Sequence, residues 1–350
     1  MRRGILAALE RENRTGPPGS DLLRLITLDD GYEPTRTTSN IRELIQKDNV
    51  LAMIGDVGNS TANVAVPLAN EMKTLLFASY SGSAALRHNP PDRYVINFRA
   101  SYREEIKAAL NALITVGGVQ PEEVAFFTQG DFSPQLGTAI LEGYGLRDSE
   151  AVQFVGYDRN TLAVEGAVAQ LLMAKNPPRA VLMIGTYAPS AKFVRLCVDE
   201  RLKPIFLSLS FVDSDSFAKA LGNINATVIV TQVVPPPTDY SLPIVRQYNE
   251  DLKVVDPLAS PGFVSFEGYV SARILTLALG KIRGPPTRES VIDSLEQLGR
   301  FDLGLGEPLE LSHTEHQANH RVWPTIFKAG QFVPVEWSTI SALARRQMQP

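Results

Sequence analysis

The alternation of this chain constrains its fold more than any other feature. Short apolar runs recur roughly every 25 residues with a helical pattern in each interval, the repeat expected of a strand–helix unit. The runs are Leu23–Leu28, Val50–Ile54, Leu75–Ala78, Val124–Thr128, Val152–Tyr157, Ala180–Gly185, Pro204–Leu209 and Thr227–Gln232. Helical patterns occupy Thr35–Gln46, Thr61–Met72, Glu104–Val116, Pro134–Leu146, Thr161–Ala174 and Pro189–Glu200. Thr161 suits an N-cap, and Pro134 and Pro189 suit a first helical turn. Apolar runs alternating with amphipathic helices indicate an α/β fold with parallel sheets. The alternation ends after Gln232, where Pro235–Pro237 impose a stiff extended segment. Helices are expected at Ser241–Leu252, Val264–Ile282 and Arg288–Leu298. Short strands are expected between Pro308 and Trp337, turning at Ala329-Gly330. At 350 residues the chain is longer than one core usually supports, so it reads as two α/β halves plus returning material.

In a parallel sheet, ligands bind outside the carboxyl ends of the strands. Two consecutive loops here are built for that place. Val50–Gly55 breaks into Asp56-Val57-Gly58-Asn59-Ser60-Thr61, and Leu75–Ala78 breaks into Ser79-Tyr80-Ser81-Gly82-Ser83. Both are rich in hydroxyls, glycine and backbone N–H groups, a combination that suits a small ligand bearing a carboxylate. Ser60 and Thr61 would open a helix, whose free N–H groups and positive dipole end attract an anion. Gly82 would let the backbone approach closely. The plainer alternative makes Ser60 a helix cap and Ser79–Ser83 a turn.

Composition excludes several classes. The net charge is −4, so no basic field draws in nucleic acid. No run of about 18 apolar residues is present to span a membrane. Cys197 is the only cysteine, which excludes an intramolecular disulfide and a cysteine-clustered metal site. The chain opens on Met1-Arg2-Arg3-Gly4 and an amphipathic helical pattern with Ile5, Leu6 and Leu9 on one face. Glu10, Arg11 and Glu12 follow too soon for a secretory leader. A sheet that opens with a helix implies a missing first strand. Gly58-Asn59-Ser60-Thr61-Ala62 comes near a nucleophile elbow, so a serine hydrolase using Ser60 is a rival reading. Against it, too few strands precede Ser60 and no oxyanion segment is visible. His313, His316 and His320 cluster near Glu315 without a zinc-helix spacing, and read as surface histidines. Gly304-Leu305-Gly306 is too short for a dinucleotide fingerprint, and no phosphate-cradling loop with Lys-Ser/Thr exists. No cofactor is expected.

The ordered set of motifs resembles the leucine/isoleucine/valine-binding family of type I periplasmic binding proteins. Gly55–Thr61 after a strand resembles its first ligand loop. Asp92–Arg99 resembles its first crossover, Gly185-Thr186-Tyr187-Ala188-Pro189 its tyrosine-bearing loop, and Gly262–Tyr269 its long late helix. The likeness runs from about residue 4 to about residue 337, without the family's first strand. It implies two doubly wound, Rossmann-like lobes joined by three crossovers, near Phe98–Ser101, Gln232–Pro235 and Leu309–His313. Residues 1–99 with 235–309 would form one lobe, 100–234 with 310–340 the other, and 341–350 a tail. It further implies a monomeric, non-enzymatic solute-binding protein of the periplasm that delivers its ligand to an inner-membrane ABC permease. A cytoplasmic ligand-sensing regulator on the same fold is the alternative. On the resemblance, Asn59, Ser60, Thr61, Tyr80, Ser81 and Gly82 hold the ligand carboxylate, while Asp131, Phe132, Tyr187 and Ser210 supply the second lobe's share. The chain departs from the family near Ser210, where amino-acid binders place a glutamate for the ammonium. Ser208-Leu209-Ser210-Phe211-Val212 carries no carboxylate. Asp131 or Glu267 would have to serve instead, or the ligand lacks an ammonium, which puts an aromatic or aliphatic carboxylate or an amide on a par with a branched-chain amino acid.

Overall fold

The computed structural model describes residues 1–16, 22–130 and 134–346. In chain order, the first segment holds α1 (Arg2–Thr15), α2 (Pro34–Gln46), β1 (Ala52–Ile54), α3 (Asn59–Glu71), β2 (Leu75–Phe77) and β3 (Val95–Ile96). The next holds α4 (Tyr102–Leu110), β4 (Val124–Gln129), α5 (Pro134–Glu142), β5 (Phe154–Tyr157), α6 (Glu165–Leu172) and β6 (Ala180–Ile184). It continues through α7 (Tyr187–Asp199), β7 (Ile205–Ser208), α8 (Ser214–Leu221) and β8 (Val228–Gln232). Then come α9 (Pro243–Val255), α10 (Phe263–Leu279), α11 (Arg288–Glu296), β9 (Gly299–Phe301) and β10 (Leu309–Leu311). The chain finishes with β11 (Trp323–Lys328), β12 (Gln331–Pro334) and α12 (Trp337–Arg346).

The chain forms two compact units. Unit 1 is Met1–Ser101 with Val233–Arg321, and unit 2 is Tyr102–Gln232 with the residues from Val322 on. In unit 1, β1, β2 and β3 make a parallel sheet in that order, and β9 and β10 form a separate antiparallel pair. Its core has a layer on each face of the sheet. One gathers Leu75, Phe77 and Ile96 with α1, α9 and α10, and the other gathers Met53, Leu76 and Val95 with α2 and α3. The closest packing is between α1 and α10. A Cβ on Gly4 would fall 1.7 Å from the Ser265 carbonyl oxygen, and one on Gly268 would fall 2.3 Å from the Met1 carbonyl oxygen.

In unit 2 the sheet order is β12-β11-β8-β7-β6-β4-β5, parallel from β8 to β5 and antiparallel at β11 and β12. Strand parity is clear in its core. Val124 and Phe126 of β4 face one layer with Leu182, while Ala125 and Phe127 face the other with Val181 and Met183. From β4 the chain moves to one side to form β5 and to the other side to form β6. The order therefore reverses between β4 and β6, and a crevice opens at the carboxyl ends there.

Three expectations need correction. Leu23–Leu28 is extended but, among the described residues, joins no ladder; Leu23 is held by Asn13 through bonds of 2.8 and 2.9 Å to its backbone N–H and C=O. The last changeover falls at Arg321–Val322 rather than at Leu309–His313. The intervening residues stay with unit 1: β10 pairs with β9, and Asn319 bonds the backbones of Phe98 and Val233. The expected tail is helical as far as Arg346, with Ile340 and Ala344 fully buried in unit 2.

Candidate functional site

In unit 1 the two polar loops are joined. Val57 bridges to Tyr80 as in a parallel pair, and the Tyr80 N–H donates to the Asp56 carbonyl at 2.6 Å. The loop after β1 turns through Gly58 at φ 110°, a conformation that favours glycine, and a Cβ there would strike the Tyr32 ring. Gly58 is the N-cap of α3, so no side chain caps the first turn of that helix. Asn59 and Ser60 are half-buried in that turn. The Ser60 hydroxyl is buried without a hydrogen-bond partner, and so is the Ser79 hydroxyl on the other loop. Thr61 is fully buried, and its hydroxyl donates back to the Val57 carbonyl at 2.5 Å. That threonine shapes the loop rather than presenting a free donor.

The loop after β2 is fastened from outside. Arg87 donates to the carbonyls of Ser81 (3.3 Å), Ser83 (3.0 Å) and Arg99 (2.9 Å), and also to Gln317. The Ser81 hydroxyl accepts from the Ser83 N–H at 3.2 Å, and Gly82 is buried. The Arg99 guanidinium lies 4.4 Å from the centre of the Tyr80 ring. Arg99 in turn forms a bidentate pair with Glu267 of α10, at 2.9 and 3.1 Å, with both side chains almost fully buried. Glu267 is therefore committed to Arg99, which removes it as the ammonium partner. Asp56 carries a carboxyl oxygen with no partner, and burial, helped by the nearby Asp30 charge, pushes its pKa up to about 7.

Unit 2 presents its own residues at the carboxyl edge of its sheet. Tyr187 is the first residue of α7, just after β6 and so beside the switch crevice, and is 42% exposed. Beside it the Tyr157 hydroxyl, at the end of β5, accepts from the Thr186 N–H at 2.9 Å. Ser190, in the next turn of α7, is buried with an unpartnered hydroxyl. Ser210 is 4% exposed and engaged: its N–H and its hydroxyl both donate to the buried Glu105 carboxylate, at 2.8 and 3.0 Å, and Thr231 donates to the same group. A carboxylate does stand beside Ser210, supplied by α4 from far upstream. Asp131 and Phe132 lie outside the described residues.

The structure thus brings Asn59, Ser60, Thr61, Tyr80, Ser81 and Gly82 together in unit 1, and sets Tyr187 and Ser210 on one edge of the sheet in unit 2. Sequence reading missed Arg87, Arg99 and Glu105. Each is a charged residue on an otherwise ordinary segment, and only the tertiary contacts give it a role. Among the described residues the Ser60 hydroxyl has no hydrogen-bond partner, a base included. His316 is not a surface residue. It is 6% exposed, with its ring against the Val95 carbonyl (2.9 Å) and the Glu296 carboxylate (3.1 Å). Among the described residues no group of three or more His, Cys, Asp or Glu is placed to hold a metal ion.

Two α/β units, each assembled from discontinuous segments and carrying polar loops at its strand ends, have the fold of a type I periplasmic binding protein. The periplasmic binding protein family model matches residues 1–331, and the chain belongs to that family of solute-binding proteins. The chain is 41% identical to a possible leucine/isoleucine/valine-binding protein from Rhodopirellula baltica SH 1, with a TM-score of 0.92 over 97% of this chain and 92% of that one. It shares its fold with a substrate-binding periplasmic protein from Ralstonia solanacearum, at 24% identity and a TM-score of 0.84 over 96% and 94% of the two chains. The same holds for a fatty acid ABC transporter substrate-binding protein from Thermomonospora curvata, at 19% identity and a TM-score of 0.81 over 100% and 90%. No curated protein matches the chain.

Proposed function

We propose that this protein is the solute-binding component of an ABC importer, working in the periplasm as a monomer. It captures a small carboxylate-bearing solute and presents it to an inner-membrane permease. The observation that carries this reading is the pair of unpartnered hydroxyls, Ser60 and Ser79, on joined loops beside the uncapped first turn of α3. Buried hydroxyls without partners are costly, and an anion at a helix N-terminus supplies acceptors for them. The relatives named for leucine, isoleucine and valine and for fatty acids share a carboxylate as their common ligand chemistry. In unit 2, Tyr187 provides an exposed aromatic face for the apolar part of the solute. Glu105 is already answered by two hydroxyls and an N–H, which argues against its serving an ammonium beside Ser210.

The test is a thermal-shift screen of amino acids, aliphatic and aromatic carboxylates, and their amides. A ligand at one hundred times its Kd should add about 2.7 kcal/mol of stability. Carboxylates should raise the melting temperature and the matching amides should not. Leucine compared with 4-methylpentanoate, which lacks the ammonium, separates the two ligand classes. A screen in which no carboxylate shifts the transition overturns the reading. Tyr187→Ala should abolish the shift; an unchanged affinity would remove Tyr187 from the site.

A further inference from the structure

The backbone N–H groups of the loop after β2 fall into two sets. Those of Tyr80 and Ser81 donate to the carbonyls of Asp56 and Ser79, and those of Ser83 and Ala85 donate to the hydroxyls of Ser81 and Ser83. Those of Gly82 and Ala84 have no hydrogen-bond partner among the described residues. Ala84 is exposed, so water can serve it. Gly82 is buried, and a buried N–H rarely goes unpaired. The peptide bonds that carry these two N–H groups also carry the carbonyls of Ser81 and Ser83. Both carbonyls accept from the Arg87 guanidinium, at 3.3 and 3.0 Å. We propose that Arg87 is a positioning residue that makes this loop selective for an anion. Its charge acts through the Ser81–Gly82 and Ser83–Ala84 peptide groups on the group that the two N–H donors bind. The inference rests on the reading of this loop as part of the carboxylate seat, and adds the residue that separates a carboxylate from its neutral carboxamide.

The peptide group carries the effect. Across a planar trans peptide the carbonyl and the N–H point in opposite directions. A cation on the oxygen and an anion on the hydrogen therefore lie at the two ends of one dipole. Hydrogen bonds in series polarise one another, and charged ends make the strongest of them. One bond of 3.3 Å to Ser81, one peptide group and one further hydrogen bond would set the guanidinium about 8 Å from an oxygen held by Gly82. At an effective dielectric of about 20, that attraction amounts to a preference of about thirtyfold for an anion over a neutral molecule of the same shape.

The charge is also fixed in place. Arg87 Nη2 donates to the Arg99 carbonyl at 2.9 Å, and Nε donates to the Gln317 side-chain oxygen at 2.6 Å. The acceptors on Ser81, Ser83, Arg99 and Gln317 are neutral oxygens of unit 1, and together they hold the planar fork in one orientation.

The experiment is calorimetric titration of the wild-type chain, Arg87→Lys and Arg87→Gln with three matched pairs: acetate and acetamide, 4-methylpentanoate and 4-methylpentanamide, benzoate and benzamide. Lysine keeps the charge and loses the fork, whereas glutamine keeps a donor and loses the charge. The wild type should prefer a carboxylate to its carboxamide. Arg87→Gln should lose about tenfold or more of that preference, and Arg87→Lys should keep most of it even where both affinities fall. A residue that only shapes the loop would weaken both members of a pair alike, so an unchanged preference in Arg87→Gln overturns the proposal. An equal loss of preference in the two variants also overturns it, because the fork and not the charge would then be at work. A second measurement needs no variant. In the wild type, a bound carboxylate should move the Gly82 N–H proton resonance downfield, and further than its carboxamide does. A Gly82 resonance indifferent to a bound carboxylate overturns the proposal and leaves the functional reading standing. Failure of all three carboxylates to bind the wild type overturns that reading and this inference with it.

Discussion

Ser60 and Ser79 are the sharpest probes of the proposed carboxylate site, because neither hydroxyl has a hydrogen-bond partner in the free chain. Replacing either with alanine removes a buried group that has no partner, so the folded state should lose little and could gain slightly. On the proposed reading the same change removes a donor to the bound carboxylate, a charge-assisted bond of roughly 1.5–3 kcal/mol. Ser60→Ala and Ser79→Ala should therefore weaken carboxylate binding at least tenfold by calorimetry while leaving the melting temperature of the free protein within a degree or two. A large loss of stability would mean that the hydroxyls are structural. Asp56 behaves differently. Burial raises its pKa from 3.8 to about 7, so between those values the native carboxyl holds a proton that the unfolded chain has released. Stability must then fall as pH rises from about 4 to about 7, with no further loss from this group above that. Urea midpoints at pH 5 and pH 8 should differ in that direction, and Asp56→Asn should flatten the difference.

At the scale of elements, one buried ion pair links the loop after β2 to the late helix. Arg99 follows β3, Glu267 lies on α10, and the arginine also supports the Tyr80 ring. Breaking such a pair leaves one charge buried and alone, at a cost of about 3–5 kcal/mol. Glu267→Leu should lower the unfolding free energy from urea titration by that much, and adding Arg99→Met should recover a substantial part. If the double variant is no more stable than the single one, the pair does not act as a unit. This pair also shows where sequence reading stops. Strands β2, β4, β6, β7 and β8 were legible because their apolar runs are buried on both faces, and the two polar loops because glycine and hydroxyls cluster at strand ends. Leu23–Leu28 has the same apolar character, yet it makes no ladder, because pairing depends on a neighbouring strand and not on the run itself. Glu105 reads as an unremarkable acid in the first turn of a helix until the fold carries it to Ser210. Arg87 likewise gains its role only when the chain returns past Gln317. Partners far apart in sequence leave no local periodicity to read.

At the scale of the whole molecule, each unit has its own sheet and its own two-layered core, so each carries the means to unfold cooperatively by itself. The probes divide along the same line. Both tryptophans, Trp323 and Trp337, lie in unit 2, as does the only cysteine, Cys197. Cys197 is fully buried in α7, and burial pushes its thiol up to about 12, so it should resist thiol reagents until unit 2 opens. Tryptophan fluorescence and Cys197 labelling thus follow unit 2 alone, whereas far-ultraviolet circular dichroism follows both units. Without ligand, the fluorescence and dichroism melting curves are expected not to coincide. If the solute engages residues of both units, it stabilises only the state in which both are folded, and saturating ligand should then bring the two curves together and slow Cys197 labelling. A ligand that shifts the dichroism transition but leaves tryptophan fluorescence and Cys197 labelling unchanged would be bound by unit 1 alone. That outcome would remove Tyr187 from the binding site while leaving the Ser60 and Ser79 loops as its seat.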